Sequence, residues 1–267
     1  MDRKYIIENF NSIEEMIKIL KTRPKNNIMK DRNSSEDSSY SFTNTNSYEE
    51  AEELIKNGYI EILNKIKSGL KFNVTENSKT IPENNVFGYI PNVPNAIMNL
   101  PKSMIYQKRI PRKVSTIDLI YCSTSNSGTG SDSFIKNGIK ILNIINSLEQ
   151  NNIRVNLKAA VFDGETNNEK CLATVNLKNY KEKLNLQKIC FPIAHPSMLR
   201  RFGFKWLETT SKITNDNWQY GYGKSIKDYS GFPIDSIILS LDEINYLNEE
   251  EIINEKINCN LWWKNKW

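Results

Sequence analysis

The run from Thr116 to Phe162 limits the fold more than any other part of the chain. It opens with Thr116-Ile-Asp-Leu-Ile-Tyr-Cys122, an apolar stretch with the make-up of a buried strand. Ser123 to Ser133 follows, built from small polar residues with Gly128 and Gly130. Ile135, Ile139, Leu142, Ile145 and Leu148 then recur at three- and four-residue steps, which predicts an amphipathic helix over 134–148. After the turn at Gln150-Asn-Asn152, Ile153 to Phe162 alternates and then becomes wholly apolar, as a strand covered on both faces does. Strand, helix, strand in so short a span is a βαβ unit. The two strands are therefore predicted to be parallel, with a right-handed crossover.

The rest of the chain is consistent with this unit. Its 267 residues suffice for one large domain, or one domain with an appendage. A hydrophobic share of 39% and a charged share of 25% exclude a wholly disordered chain and a multispanning membrane protein. Further strands are predicted at Cys171–Leu177 and near Ser236–Leu241. Leu184–Phe191 reads as a short helix ending in a strand. A helix is expected from Ser197 to Glu208, and an acidic helix over 242–251.

At the N-terminus, Ser12 with Glu15 and Ser47 with Glu50 have capping-box spacing, so helices are predicted after each serine. Asn33 to Ser47 reads as a polar linker. Residues 82–111 are rich in Pro and Asn yet hold Phe87, Tyr89, Ile97 and Met98. That many large apolar groups predict an ordered, irregular segment packed across the core. The expected organisation is an N-terminal helix and flexible linker over 1–46, then an α/β domain over 47–267 that ends in an aromatic tail with Trp262, Trp263 and Trp267. The fold class is a three-layer α/β domain, with a mostly parallel sheet, flanking helices and a helical N-terminal extension.

Composition also bounds the function. The net charge of +5 is too mild to signal nucleic acid without a clustered basic face. Lys108, Arg109, Arg112 and Lys113 form a basic cluster around Pro111. The four cysteines form no C-x-x-C pair, and one histidine supplies a zinc site poorly. The opening Met1-Asp-Arg-Lys-Tyr5 lacks an apolar signal core, and no apolar run spans a bilayer. A reduced, cytoplasmic protein with no membrane partner is expected.

The polar loop after the first strand of the βαβ unit is the first candidate site. Ligands of α/β sheets bind at the carboxyl ends of the strands. The loop lacks the third glycine of a dinucleotide fingerprint, where Ser133 stands, and has no Gly-Lys-Ser/Thr of a P-loop. Strand, small-polar loop, helix and strand resemble the opening of a von Willebrand factor A-like domain, which holds a divalent metal through Asp-x-Ser-x-Ser. Ser123 and Ser125 match its serines, and Tyr121 stands in place of its aspartate. The resemblance implies a degenerate site. No cofactor is the first expectation. A divalent cation such as Mg²⁺ on Ser123, Ser125, Asp132 and Asp163 is the alternative. Asp163-Gly-Glu165 reads first as a β-turn with solvated acids, and second as a carboxylate pair for metal or acid–base work.

The second candidate is Phe191-Pro-Ile-Ala-His195-Pro-Ser-Met-Leu-Arg200-Arg201, which brings the single histidine within two turns of paired arginines. His195 suits acid–base work or the ordering of a junction. Arg200 and Arg201 suit a phosphate or an acidic partner. If this segment follows a parallel strand, it shares an edge with Ser123 and Ser125, and the five residues form one binding surface for an anion.

Three blocks of sequence carry a further resemblance: Ser47-Tyr-Glu-Glu-Ala51, the run from Phe87 to Met104, and Phe191 to Arg201. They resemble an uncharacterised family of bacteriophage and mobile-element proteins. That implies a phage or prophage context and no activity. Two functions are carried forward. One is a non-enzymatic protein that binds a protein or nucleic-acid partner. The other is a metal-dependent hydrolase or nuclease.

Overall fold

The computed structural model describes residues 3–37, 40–69, 80–109, 115–124 and 129–258. The strands in chain order are β1 (Lys4–Phe10), β2 (Thr80–Asn85), β3 (Ile90–Pro91), β4 (Met104–Arg109), β5 (Ser115–Cys122), β6 (Ile153–Glu165), β7 (Glu169–Lys178) and β8 (Ile237–Ser240). The N-terminal helices are α1 (Ile13–Thr22), α2 (Ser34–Asp37), α3 (Tyr40–Thr43), α4 (Tyr48–Asn57) and α5 (Ile60–Gly69). Later come α6 (Val93–Ile97), α7 (Ser131–Gln150), α8 (Leu186–Ala194), α9 (Phe204–Thr209), α10 (Leu241–Ile244) and α11 (Glu249–Ile252).

The βαβ unit is present as predicted. β5 and β6 pair in parallel, with Ile117 opposite Val155 and Leu119 opposite Leu157. They belong to a five-stranded sheet of order β1-β7-β6-β5-β8. β8 also pairs in parallel with β5, and β1 with β7. β6 and β7 pair antiparallel, so the sheet is mostly parallel with one antiparallel seam.

Packing on the two faces differs. Ile117, Leu119, Val155, Leu157 and Val175 join the main core with buried residues of α1, α4, α7 and α8. On the opposite face Ile120, Cys122, Ala160 and Leu172 meet Ile226 and Phe232, which lie in irregular chain. Among the described residues the layer on that face is a loop rather than a helix, so the third helical layer is not found. On the helical face α7 comes close to α8: a Cβ on Gly138 would lie 2.6 Å from Cβ and 3.1 Å from Cα of Ala194. A Gly138→Ala variant gains about 1 kcal/mol of helix propensity. It must also push two helices apart, and overpacking costs about 1–3 kcal/mol. We expect a net loss of stability in urea titration. A stabilised variant would mean the helices separate freely.

Four expectations need correction. The N-terminal segment is not an appendage, because Lys4–Phe10 is an edge strand of the main sheet. The polar run after Asn33 is no free linker: Ser35, Thr43 and Thr45 are fully buried in it. Leu184–Phe191 does not end in a strand, since α8 continues to Ala194 through Pro192. The apolar run there fits a buried helix as well as a strand, and periodicity cannot separate the two over so few residues. Ser197–Glu208 is helical, but Met198–Gly203 is wound as a π-helix before α9 begins.

The Pro-rich segment departs furthest from expectation. It is ordered, yet β2, β4 and β3 make a separate three-stranded antiparallel sheet. Asn92 caps α6 by accepting the Asn95 N–H, and Asn95 Nδ2 donates to the Lys102 carbonyl at 3.0 Å. The polar residues thus fix the turns. The large apolar residues do not reach the core: Phe87, Tyr89, Ile97 and Met98 are 59–80% exposed. The Trp-rich tail, Arg112 and Lys113 lie outside the described residues.

Candidate functional site

The carboxyl ends of β5 and β6 lie side by side, and β8 adds a third end, with Cys122 opposite Ser240. Asp163 is the carboxylate at this junction. It is not in a turn, because β6 runs on to Glu165 and the chain reverses only at Thr166, whose N–H donates to the Glu169 carbonyl at 2.8 Å. Asp163 is buried, with both oxygens occupied: the Thr124 hydroxyl donates to Oδ1, and the Tyr229 hydroxyl donates to Oδ2 at 2.8 Å. Tyr229 comes from the loop that covers this face of the sheet, and it also contacts Cys122.

Burial raises the pKa of Asp163, whereas the hydrogen bonds from Thr124 and Tyr229 lower it; burial wins, and the group is pushed up to about 7. Burial also drives the Cys122 thiol well above its ordinary value. A thiol held protonated in this way is a poor nucleophile.

The other proposed cation ligands are less closely gathered. Ser123 is buried beside Thr124, and Asp132 is exposed in the first turn of α7, where the helix dipole favours an acid. Ser125 lies outside the described residues. Among the described residues no group of three or more His, Cys, Asp or Glu side chains is placed to hold a metal ion. The residue that reaches Asp163 from the loop is Thr124, one position from each candidate serine.

His195, Arg200 and Arg201 follow α8 rather than a parallel strand, so the strand expected to carry them beside Ser123 is a helix. His195 is buried, stacked on Phe191 with ring centroids 4.4 Å apart. Its Nδ1 accepts from the Ser197 N–H at 3.2 Å, and among the described residues Nε2 has no partner. Burial pushes its pKa down to about 3, so the ring is neutral across the physiological range.

Arg201 is fully buried. Nη1 donates to the carbonyls of Ser35 at 2.9 Å and Glu36 at 2.6 Å, Nη2 to the Thr45 carbonyl at 2.7 Å, and Nε to the Thr45 hydroxyl at 3.2 Å. It clamps the stretch around α2 and α3 onto the π-helical turn. Arg200 lies between the rings of Phe42 and Phe204, 4.9 and 5.0 Å from their centroids. The donors of Arg201 are thus engaged by the chain itself, whereas the contacts of Arg200 are with rings. The burial of Arg201 had no signal in the sequence, because its acceptors are backbone carbonyls more than 150 residues away.

In Tyr220-Gly-Tyr-Gly223 the two tyrosines are placed differently. Tyr220 is exposed beside a groove lined by Arg3, Asn167 and Lys224, whereas Tyr222 stacks on Phe204 at 3.8 Å and donates to Glu208 at 2.6 Å. Among the described residues no helix is long and apolar enough to cross a membrane. No curated protein and no solved structure matches the chain. A family model does, over residues 2–260, and the chain therefore belongs to the family described as Domain of unknown function (DUF7192).

Proposed function

We propose that this is a phage- or prophage-encoded protein of the cytoplasm that works by binding a protein partner rather than by catalysis. One observation carries the reading. Residues 80–109 form a sheet of their own and turn Val86, Phe87, Tyr89, Ile90, Ile97 and Met98 to solvent at 59–80% exposure. Exposed apolar patches larger than a few hundred Å² are rare on monomers and mark contact surfaces. Aliphatic groups outnumber aromatic rings here, which favours a protein over a nucleic acid, whose bases stack on rings. Among the described residues β2 and β3 are the open edges of this sheet, which weighs against a bilayer, where such groups stay unsatisfied.

The β5–α7–β6 unit serves, on this reading, as an A-like scaffold with its metal position degenerate. Tyr121 replaces the first carboxylate, and Asp163 is saturated by Thr124 and Tyr229. The test is affinity capture with the wild type and with a Phe87→Ser, Ile97→Ser, Met98→Ser variant over a range of salt concentrations. We expect any species held by the wild type to fall at least about tenfold with the variant, as the loss of more than about 1.4 kcal/mol requires. Equal retention counts against the reading.

A second reading, a metal-dependent hydrolase or nuclease, is favoured by one feature: Asp163 with a pKa of about 7 lies within electrostatic reach of Asp242 at the strand ends. Calorimetric titration with Mg²⁺, Mn²⁺ and Ca²⁺ decides it. Heat that disappears in Asp163→Asn supports a cation there, and silence with all three metals disposes of it.

A further inference from the structure

We propose that the occupant of the exposed apolar sheet is a second copy of this chain, so that the protein is a dimer joined through residues 80–109. The proposal rests on the reading of this sheet as a contact surface and adds the identity of the partner.

Area is the first argument. The six side chains from Val86 to Met98 are each more than half exposed. At about 100 Å² apiece they present on the order of 600 Å² of apolar surface. A stable interface takes about 800 Å² per partner, and homodimer interfaces are about 65% apolar. One sheet therefore supplies the apolar share of one side of an ordinary dimer, with no contribution from the larger sheet.

Charge is the second. Residues 80–109 hold four charged groups, Glu83, Lys102, Lys108 and Arg109. Glu83 and Lys108 already pair at 3.2 Å on one face of the sheet. Lys102, Lys108 and Arg109 leave the rim net basic, but the run from Val86 to Met98 holds no charged residue, so a copy of itself meets little repulsion at the contact. Like meeting like is also what a two-fold interface needs, since each patch contacts its own image.

The edges set the mode of contact. β2 contains Pro82 and β3 ends in Pro91, and a proline has no N–H to give to an added strand. Association by strand addition is therefore blunted, and the aromatic group takes the contact instead. Tyr106 lies at its centre, with Phe87 edge-on at 5.2 Å and Tyr89 nearly parallel at 6.5 Å.

Light scattering and sedimentation of the full chain over roughly 0.1–100 µM test this, a range set by the affinities of ordinary interfaces. The expected mass is twice 31.0 kDa. The Phe87→Ser, Ile97→Ser, Met98→Ser variant should sediment as a monomer with an unchanged circular dichroism spectrum and melt, because these groups bury little within their own chain. Dimerisation should persist in 1 M NaCl, where charge contacts are screened. A wild-type monomer at every concentration overturns the proposal, as does a dimer that the variant leaves intact or that salt dissolves. If the wild type is monomeric yet the variant loses a captured species, the contact surface stands and only the second copy is wrong. If the variant changes neither mass nor capture, the contact surface itself is wrong.

Discussion

Arg201→Met unfolds at markedly lower denaturant, with about 3–5 kcal/mol lost. Methionine fills much of the same volume, so the loss reports the polar contacts rather than a void. Three backbone carbonyls and the Thr45 hydroxyl accept from the guanidinium in a site with no solvent exposure. Each buried acceptor left without a donor costs about 1–3 kcal/mol. The charge is hard to accommodate there, since burial lowers the pKa of Arg201 while Glu36 and other nearby carboxylates hold it up. Arg201→Lys recovers part of the loss, because an ammonium has three donors and no fork. At about 2–4 °C per kcal/mol for a chain of this size, the methionine variant should melt about 6–20 °C below the wild type. A shift under about 1 kcal/mol would show that the stretch around α2 and α3 is not fixed through this residue. The outcome also bears on binding experiments, since a charge reversal at Arg201 removes the fold before it can report on a partner.

Asp163→Asn changes the pH dependence of stability rather than its level alone. In the unfolded chain this carboxyl titrates near 3.8, and in the folded protein near 7. Below about pH 4 it is neutral in both states and costs nothing. Between about 4 and 7 the unfolded chain releases the proton while the folded chain keeps it, so stability falls as pH rises. The slope is about 1.4 kcal/mol per pH unit, which gives a total on the order of 4 kcal/mol. Above about 7 both states are ionised and the loss is complete. Thr124, Tyr229, Cys122 and Asp242 act on this carboxyl, and none is a cation that would reverse the sign. Urea titrations of wild type and Asp163→Asn at pH 4.5, 6 and 8 should diverge, with the asparagine variant gaining at the higher values. Parallel profiles would place the titration of Asp163 back in the ordinary carboxylate range.

The parts of this fold that a reader of the sequence can see are those written in local spacing. α7 shows its apolar stripe at three- and four-residue steps, β6 its alternation, and Ser12 and Ser47 their capping positions, with the Glu15 and Glu50 N–H groups donating to them at 3.2 and 3.1 Å. What escapes is decided by distant partners. β1 is a strand because β7 offers it an edge, not because Lys4-Tyr-Ile-Ile-Glu-Asn-Phe10 alternates. The apolar groups of residues 80–109 signal order correctly but not destination, since a core and a contact surface ask for the same residues. At the candidate site, Asp163 at the end of β6 was visible, but Tyr229, which satisfies it, sits in a loop with no period. His195, Arg200 and Arg201 were legible as a group, and the burial of His195 and Arg201 was not. A carbonyl acceptor leaves no trace in the identity of the residue that carries it.

The pairing of β1 with β7 also sets an order of assembly. Lys4 faces Glu169, and Phe10 faces Val175. During synthesis β1 leaves the ribosome long before its partner exists. At 5–20 residues per second the wait is on the order of ten seconds. β6 and β7, joined by three residues, can zip together as soon as both emerge. The first strand made is therefore the last of this seam to be docked. Until then it is a strand with an open edge, with Lys4, Ile6, Glu8 and Phe10 on one face and Tyr5, Ile7 and Asn9 on the other. In nascent chains the aggregation risk lies in this early partner of the seam, and the charges of that segment protect it until the sheet is ready.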